Sequence, residues 1–169
     1  MKAAVFIERL RPLSVRDYPD LPPGPGQAVV DLETSGVCGT DVHIWEGAIP
    51  FEGPMILGHE FLGRVESLGA PEAMIGDDES SVGNTDPTSG RGRVGTSCDC
   101  IGEPVQVGDL VAVNVIEPCG ECLLCTTGGA ASCLNLFASL TYTRSPEEPP
   151  HFHGGFAEVT VCSTRYLHR

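Results

Sequence analysis

Apolar and polar residues alternate along this chain in short bursts, and rarely at helical spacing. Residues 1–7 alternate and are rich in Ala, Val, Phe and Ile, which predicts a first strand, with residues 13–17 as its partner. The run Leu21-Pro22-Pro23-Gly24-Pro25-Gly26 is a turn, because proline has no amide to give to a helix or a central strand. Residues 27–34, with Val29, Val30 and Leu32, form the clearest strand, and 61–68, 110–115 and 156–161 predict three more. Residues 38–45 predict a short helix with Thr40 or Asp41 near its start as a cap. No stretch keeps a helical period beyond about three turns. The pattern predicts a mainly β fold, a barrel or sandwich with long loops and few short helices.

Composition agrees with that expectation. Among 169 residues there are 21 Gly and 14 Pro but only 6% aromatics, a balance that suits turns and short strands. The length predicts one domain, 1–169, able to bury its own core. Residues 70–103 are rich in Gly, Ser, Asp and Thr and read as a polar surface insertion between two strands. Within it, Gly90-Arg91-Gly92-Arg93-Val94-Gly95 matches a dinucleotide fingerprint in spelling, but a polar, proline-containing segment precedes it where a buried strand is required. No dinucleotide-binding domain is therefore expected in this chain.

Ten basic against 23 acidic side chains give a net charge of −13, which opposes binding to nucleic-acid phosphates or anionic membranes. No apolar run has the roughly 20 residues of a bilayer span. The first ten residues reach Glu8 and Arg9 straight after a short apolar run, unlike a secretory signal, so a cytoplasmic location is expected.

In a reducing compartment, eight cysteines point to metal or chemistry rather than disulfides. Cys119, Cys122, Cys125 and Cys133 have the spacing C-x2-C-x2-C-x7-C. Four thiolates satisfy the tetrahedral preference of zinc, and Gly120 and Gly128-Gly129 supply tight bends. A structural zinc is expected in a lobe at 117–134, with all four positions taken by protein. Cys98, Cys100 and Cys162 fall outside this array; Cys162, in a late strand, is expected to pack in the core, and the other two are read as tolerated thiols.

A second constellation is Gly36-Val37-Cys38-Gly39-Thr40-Asp41-Val42-His43, followed by Gly58-His59-Glu60. Cys38 and His59 are ligand types for a catalytic zinc, which keeps a position open. Asp41 and Glu60 are placed to orient those ligands, and Glu60 could itself bind the ion. Thr40 and His43 offer a hydroxyl and an imidazole for moving a proton to solvent. Taken singly, each has a plainer role, since a Cys is often a small buried hydrophobe and a His a core or surface residue. Residue types alone leave the matter open.

Gly36 to His43, Gly58-His59-Glu60, the four-cysteine array and Gly154-Gly155-Phe156-Ala157-Glu158 occur in that order. Together with the opening Met1-Lys2-Ala3-Ala4-Val5 and the Pro23, Gly24, Gly26 turn, they resemble the GroES-like catalytic domain of the medium-chain zinc-dependent alcohol dehydrogenases. The resemblance covers nearly all of the chain except 70–103. Gly39 to His43 followed by Ile44-Trp45 is most similar to the sorbitol and threonine dehydrogenase branch.

The resemblance implies a GroES-like, partly open β-barrel. It implies that Cys38 and His59 are catalytic-zinc ligands with Glu60 beside or on the same ion, Thr40 and His43 a proton relay, and Cys119, Cys122, Cys125 and Cys133 structural-zinc ligands. The implied reaction is reversible oxidation of a small alcohol or polyol to an aldehyde or ketone, with zinc as Lewis acid and NAD or NADP as hydride acceptor. Trp45 and Phe51 either line a substrate cleft or fill the end of the barrel.

The family's cofactor-binding domain and its third zinc ligand normally lie beyond the position of Arg169. Three expectations follow: the structural zinc is bound, the catalytic zinc is weak or absent or completed by His151, His153 or solvent, and the chain alone is inactive. A face left uncovered by the missing domain is expected to favour a homodimer. The alternative function is a non-catalytic, zinc-stabilised binding or assembly module.

Overall fold

Short β-branched runs between turns build two antiparallel sheets in a computed structural model of the chain, which describes residues 1–71, 97–119, 121–129, 132–135 and 140–169. The smaller sheet has the order β2 (Ser14–Asp17), β1 (Lys2–Phe6), β4 (Met55–Ile56). The larger has the order β7 (Val159–Ser163), β3 (Gln27–Ser35), β5 (Phe61–Leu68), β6 (Leu110–Val113), β8 (Leu167–His168). Helices are short: α1 (Gly39–Glu46), α2 (Leu123–Thr126), and 3-10 turns at Thr141–Thr143 and Thr164–Tyr166. Every strand pairing among the described residues is antiparallel, as expected without a βαβ unit.

Successive side chains of a strand face opposite ways, and both faces are used. On β3, Ala28 and Val30 join one core with Phe6, Ile44, Met55, Leu57, Val65 and Leu167. Val29, between them, joins a second core with Val5, Tyr18, Ile56, Phe152, Val159 and Val161. The sheets thus curl around apolar side chains as a half-open barrel, the expected mainly β class. Cys162 is buried in the first core as expected, and burial pushes its thiol up to about 12.

The helix read at 38–45 and the strands read at 27–34 and 61–68 form within a residue of those bounds, with three departures elsewhere. The strand read at 156–161 forms at Val159–Ser163 instead. Phe156 and Ala157 are taken by the smaller sheet, where Ala4 N–H donates to Phe156 O (2.7 Å) and Ala3 bridges Ala157. Glu158 turns the chain between the sheets: its N–H donates to Lys2 O (3.0 Å) and its carbonyl accepts from Leu32 (2.9 Å). The strand read at 110–115 ends at Val113, because Val115 O accepts from Thr141 N (2.9 Å) and Ile116 bridges Leu140. The helix cap is Cys38 rather than Thr40 or Asp41; Asp41 closes the first turn by accepting from Cys38 N.

Strands β5 and β6, on either side of the polar segment 70–103, are direct neighbours, with Leu62 opposite Ala112 and Arg64 opposite Leu110. The fingerprint at Gly90 to Gly95, most of that segment, and Gly120 lie outside the described residues. Among the described residues no helix is long and apolar enough to cross a membrane.

Candidate metal centres

The four cysteines converge. Cys122 Sγ lies 3.4 Å from Cys125 Sγ, Cys119 Sγ 3.9 Å from Cys125 Sγ, and Cys133 Sγ 3.6 Å from Cys119 Sγ. Four sulfurs held about 2.3 Å from a tetrahedral centre would stand about 3.8 Å apart, so these separations fit one zinc ion. They are far longer than a disulfide, and none of the eight cysteines forms one. Backbone amides turn toward the sulfurs: Cys125 N–H donates to Cys122 Sγ (3.5 Å) and Asn135 N–H to Cys133 Sγ (3.3 Å). Led by the Cys125 amide, such donors hold the Cys122 thiol down at about 6, which favours the thiolate that a metal needs. Gly128, at φ 89°, makes the left-handed bend after α2.

The second constellation also closes. Ligand atoms of Cys38, His59 and Glu60 all lie within 4.8 Å of one another. Cys38 is the residue before α1, and His59 and Glu60 run into β5. Asp41 ties the two segments together. Its Oδ2 accepts from Cys38 N (2.9 Å) and its Oδ1 from Gly58 N (3.0 Å), and the side chain is only 3% exposed. Gly58, at φ 90°, has no room for a side chain because a Cβ would strike the Phe156 ring.

Asp41 Oδ1 also lies 3.4 Å from His59 Nδ1, within ion-pair range, yet that buried nitrogen makes no hydrogen bond. Thiol, imidazole and carboxylate in one cluster, with an imidazole held beside a buried carboxylate, fit a zinc ion. Thr40 Oγ1 lies 3.7 Å from Cys38 Sγ. His43 is exposed one turn further along α1, on the same helical stripe as Thr40.

Neither His151 nor His153 joins this cluster, whose third member is Glu60. His151 stacks on Tyr18 (centroids 5.5 Å), and its Nδ1 lies 2.8 Å from Pro146 O. His153 is buried, and desolvation pushes its imidazole down to about 4. Trp45 lines a groove of about 240 Å³ beside Asp41, with Leu13, Val37 and Phe156. Phe51 lines a different one with Phe6 and Arg9. Outside both centres, Cys100 Sγ sits 3.1 Å from His168 Nδ1.

One neighbour of the site escaped the sequence reading. Tyr142, on the 3-10 turn, stacks on His59 with centroids 5.2 Å apart and planes at 29°. Burial, then the charges of Asp41 and Cys38, push its hydroxyl above the ordinary phenol range, so it stays neutral. No spacing rule links a Thr-Tyr-Thr turn to Gly-His-Glu so far upstream.

Residues 24–169 match the family described as the alcohol dehydrogenase GroES-like domain. The chain belongs to that family. Over 128 residues this GroES-like domain is 37% identical to a 5-exo-hydroxycamphor dehydrogenase of Pseudomonas putida, covering 74% of the chain and 28% of that protein. Over 121 residues it is 30% identical to a sorbitol dehydrogenase of Halalkalibacterium halodurans, covering 71% of the chain and 26% of that protein. It superposes on the crystal structure of an alcohol dehydrogenase from Thermotoga maritima with a TM-score of 0.72 at 26% identity, covering 98% of the chain and 39% of that structure. It thus spans well under half the length of these relatives.

Proposed function

We propose that this GroES-like domain is the metal-binding half of a zinc-dependent alcohol or polyol dehydrogenase. The reading rests on one observation: ligand atoms of Cys38, His59 and Glu60, brought from two segments, lie within 4.8 Å of one another beside Thr40. Bound zinc would serve as a Lewis acid that makes an alcohol proton easier to remove. Cys38, His59 and Glu60 hold the ion, and Asp41 fixes the register of the two segments that carry them. Thr40, close to Cys38, takes the proton from the substrate hydroxyl, and His43 passes it to solvent. Hydride acceptance would be supplied by NAD or NADP. Since catalysis needs acceptor and alcohol held in contact, the 169-residue polypeptide alone is expected to be inactive with either nucleotide.

The four thiolates would hold zinc tightly, and the cluster that includes exposed Glu60 would hold it more weakly. Metal analysis after gel filtration is expected to find about one zinc per chain, with a second bound only in excess metal. Cys38→Ser should abolish the second ion and leave the first. If wild type takes up no second ion at any zinc concentration, or Cys38→Ser leaves that uptake unchanged, the reading fails.

A further inference from the structure

We infer that Tyr142 is a positioning residue for His59, and that the base of the four-cysteine lobe holds Tyr142 in place. The inference rests on the proposed metal site and concerns how its imidazole is aimed. A ligating histidine usually has its ring plane set by a hydrogen bond from the nitrogen that does not bind metal. Here His59 Nδ1 stands 3.4 Å from Asp41 without forming one. What the ring does have is a stacked aromatic face, Tyr142, which is itself only 6% exposed. Offset stacking resists rotation of either ring and adds to simple burial.

Tyr142 is anchored from the side of the lobe. Thr141 N–H and Thr141 Oγ1 both donate to Val115 O (2.9 and 3.2 Å), and Oγ1 also lies 3.1 Å from His153 O. Ile116 bridges Leu140, closing the base of the segment that carries all four cysteines. Arg144 donates to Glu117 Oε2 across the same base (2.9 Å). Tyr142 therefore rests on the two segments at the base of the lobe, Val115 to Glu117 and Leu140 to Arg144, and its ring reaches the other candidate metal centre. These base contacts fix the turn, and the turn fixes the ring.

Cobalt(II) titration of the 169-residue protein tests this, since the four-thiolate site and the Cys38 site give separable visible bands. Tyr142→Leu is expected to weaken cobalt binding at the Cys38 site about 2- to 10-fold, the range an aromatic pair supports. Binding at the four-thiolate site should not change. Tyr142→Phe keeps the stack and should stay within about twofold of wild type. Thr141→Val keeps the shape of the turn but removes its hydroxyl bonds, and should weaken the Cys38 site in the same direction by a smaller factor. This variant carries the test if Tyr142→Leu does not fold.

Unchanged affinity at the Cys38 site in Tyr142→Leu, or in Thr141→Val where the former does not fold, overturns the inference. So does an equal loss in Tyr142→Phe, which would assign the effect to the hydroxyl. A wild-type protein that shows only the four-thiolate bands removes the metal-site reading itself, and the positioning role with it.

Discussion

The two candidate metal centres are built in opposite ways. Around the four-cysteine lobe almost nothing is buried: of its described residues only Cys133 is, while Leu123 and Leu134 are 70% and 69% exposed. Around Cys38 and His59 the scaffold is already complete, with Ile44 and Leu57 in the core and Asp41 tying α1 to the loop at Gly58. A segment that buries little apolar surface cannot by itself offset its loss of conformational entropy, and an ion held by four thiolates would supply what is missing. A site seated on a packed core can exist before its ion arrives.

The largest test of that contrast is metal removal. A strong chelator should melt the lobe, since a structural zinc supplies about 10 kcal/mol of folding free energy. Amides of the lobe are expected to lose hydrogen-exchange protection while β3 and β5 keep theirs. A lobe that stays protected without metal would dissolve the contrast.

Next in size is Asp41→Ala. It leaves the buried amide of Gly58 and the part-buried amide of Cys38 without their acceptor, at about 1–3 kcal/mol each. Chemical denaturation should show a loss of about 4 kcal/mol, whether or not metal occupies the second site. A loss below about 0.5 kcal/mol would mean that the scaffold is not held together by this carboxylate.

The smallest effect concerns pH. Burial lowers the His153 imidazole from 6.5 to about 4, so between those values the unfolded chain binds more protons than the folded one. The stability contributed by keeping His153 neutral is thus full above about pH 6.5 and is lost as pH falls toward 4. The loss amounts to roughly 3 kcal/mol at most. In His153→Leu that part of the acid slope should vanish, while the acid sensitivity of the lobe is common to both proteins. Identical slopes would show that His153 does not titrate in this range.

Local features were the ones legible in the sequence. Val29, Val30 and Leu32 announce β3 by composition, and the cysteine spacing announces the lobe because ligands a few residues apart need only a turn to converge. The pairing of Cys38 with His59 was legible as residue types and by family resemblance, but their convergence depends on Asp41 bonding across to Gly58. β4 is two residues long and too short to carry a pattern. Phe156 and Ala157 look like part of β7, and only the competing pull of β1 assigns them to the other sheet.

The order of strands and turns, the acidic balance and the clustering of thiols were determined by the sequence itself, since each depends on neighbours along the chain or on simple counts. Which imidazole joins the thiol of Cys38, which carboxylate completes the cluster, and which ring lies against His59 were decided by tertiary structure. Those choices were made when two sheets curled around a shared core and brought distant backbone segments into register, an outcome of long-range packing that no local period encodes.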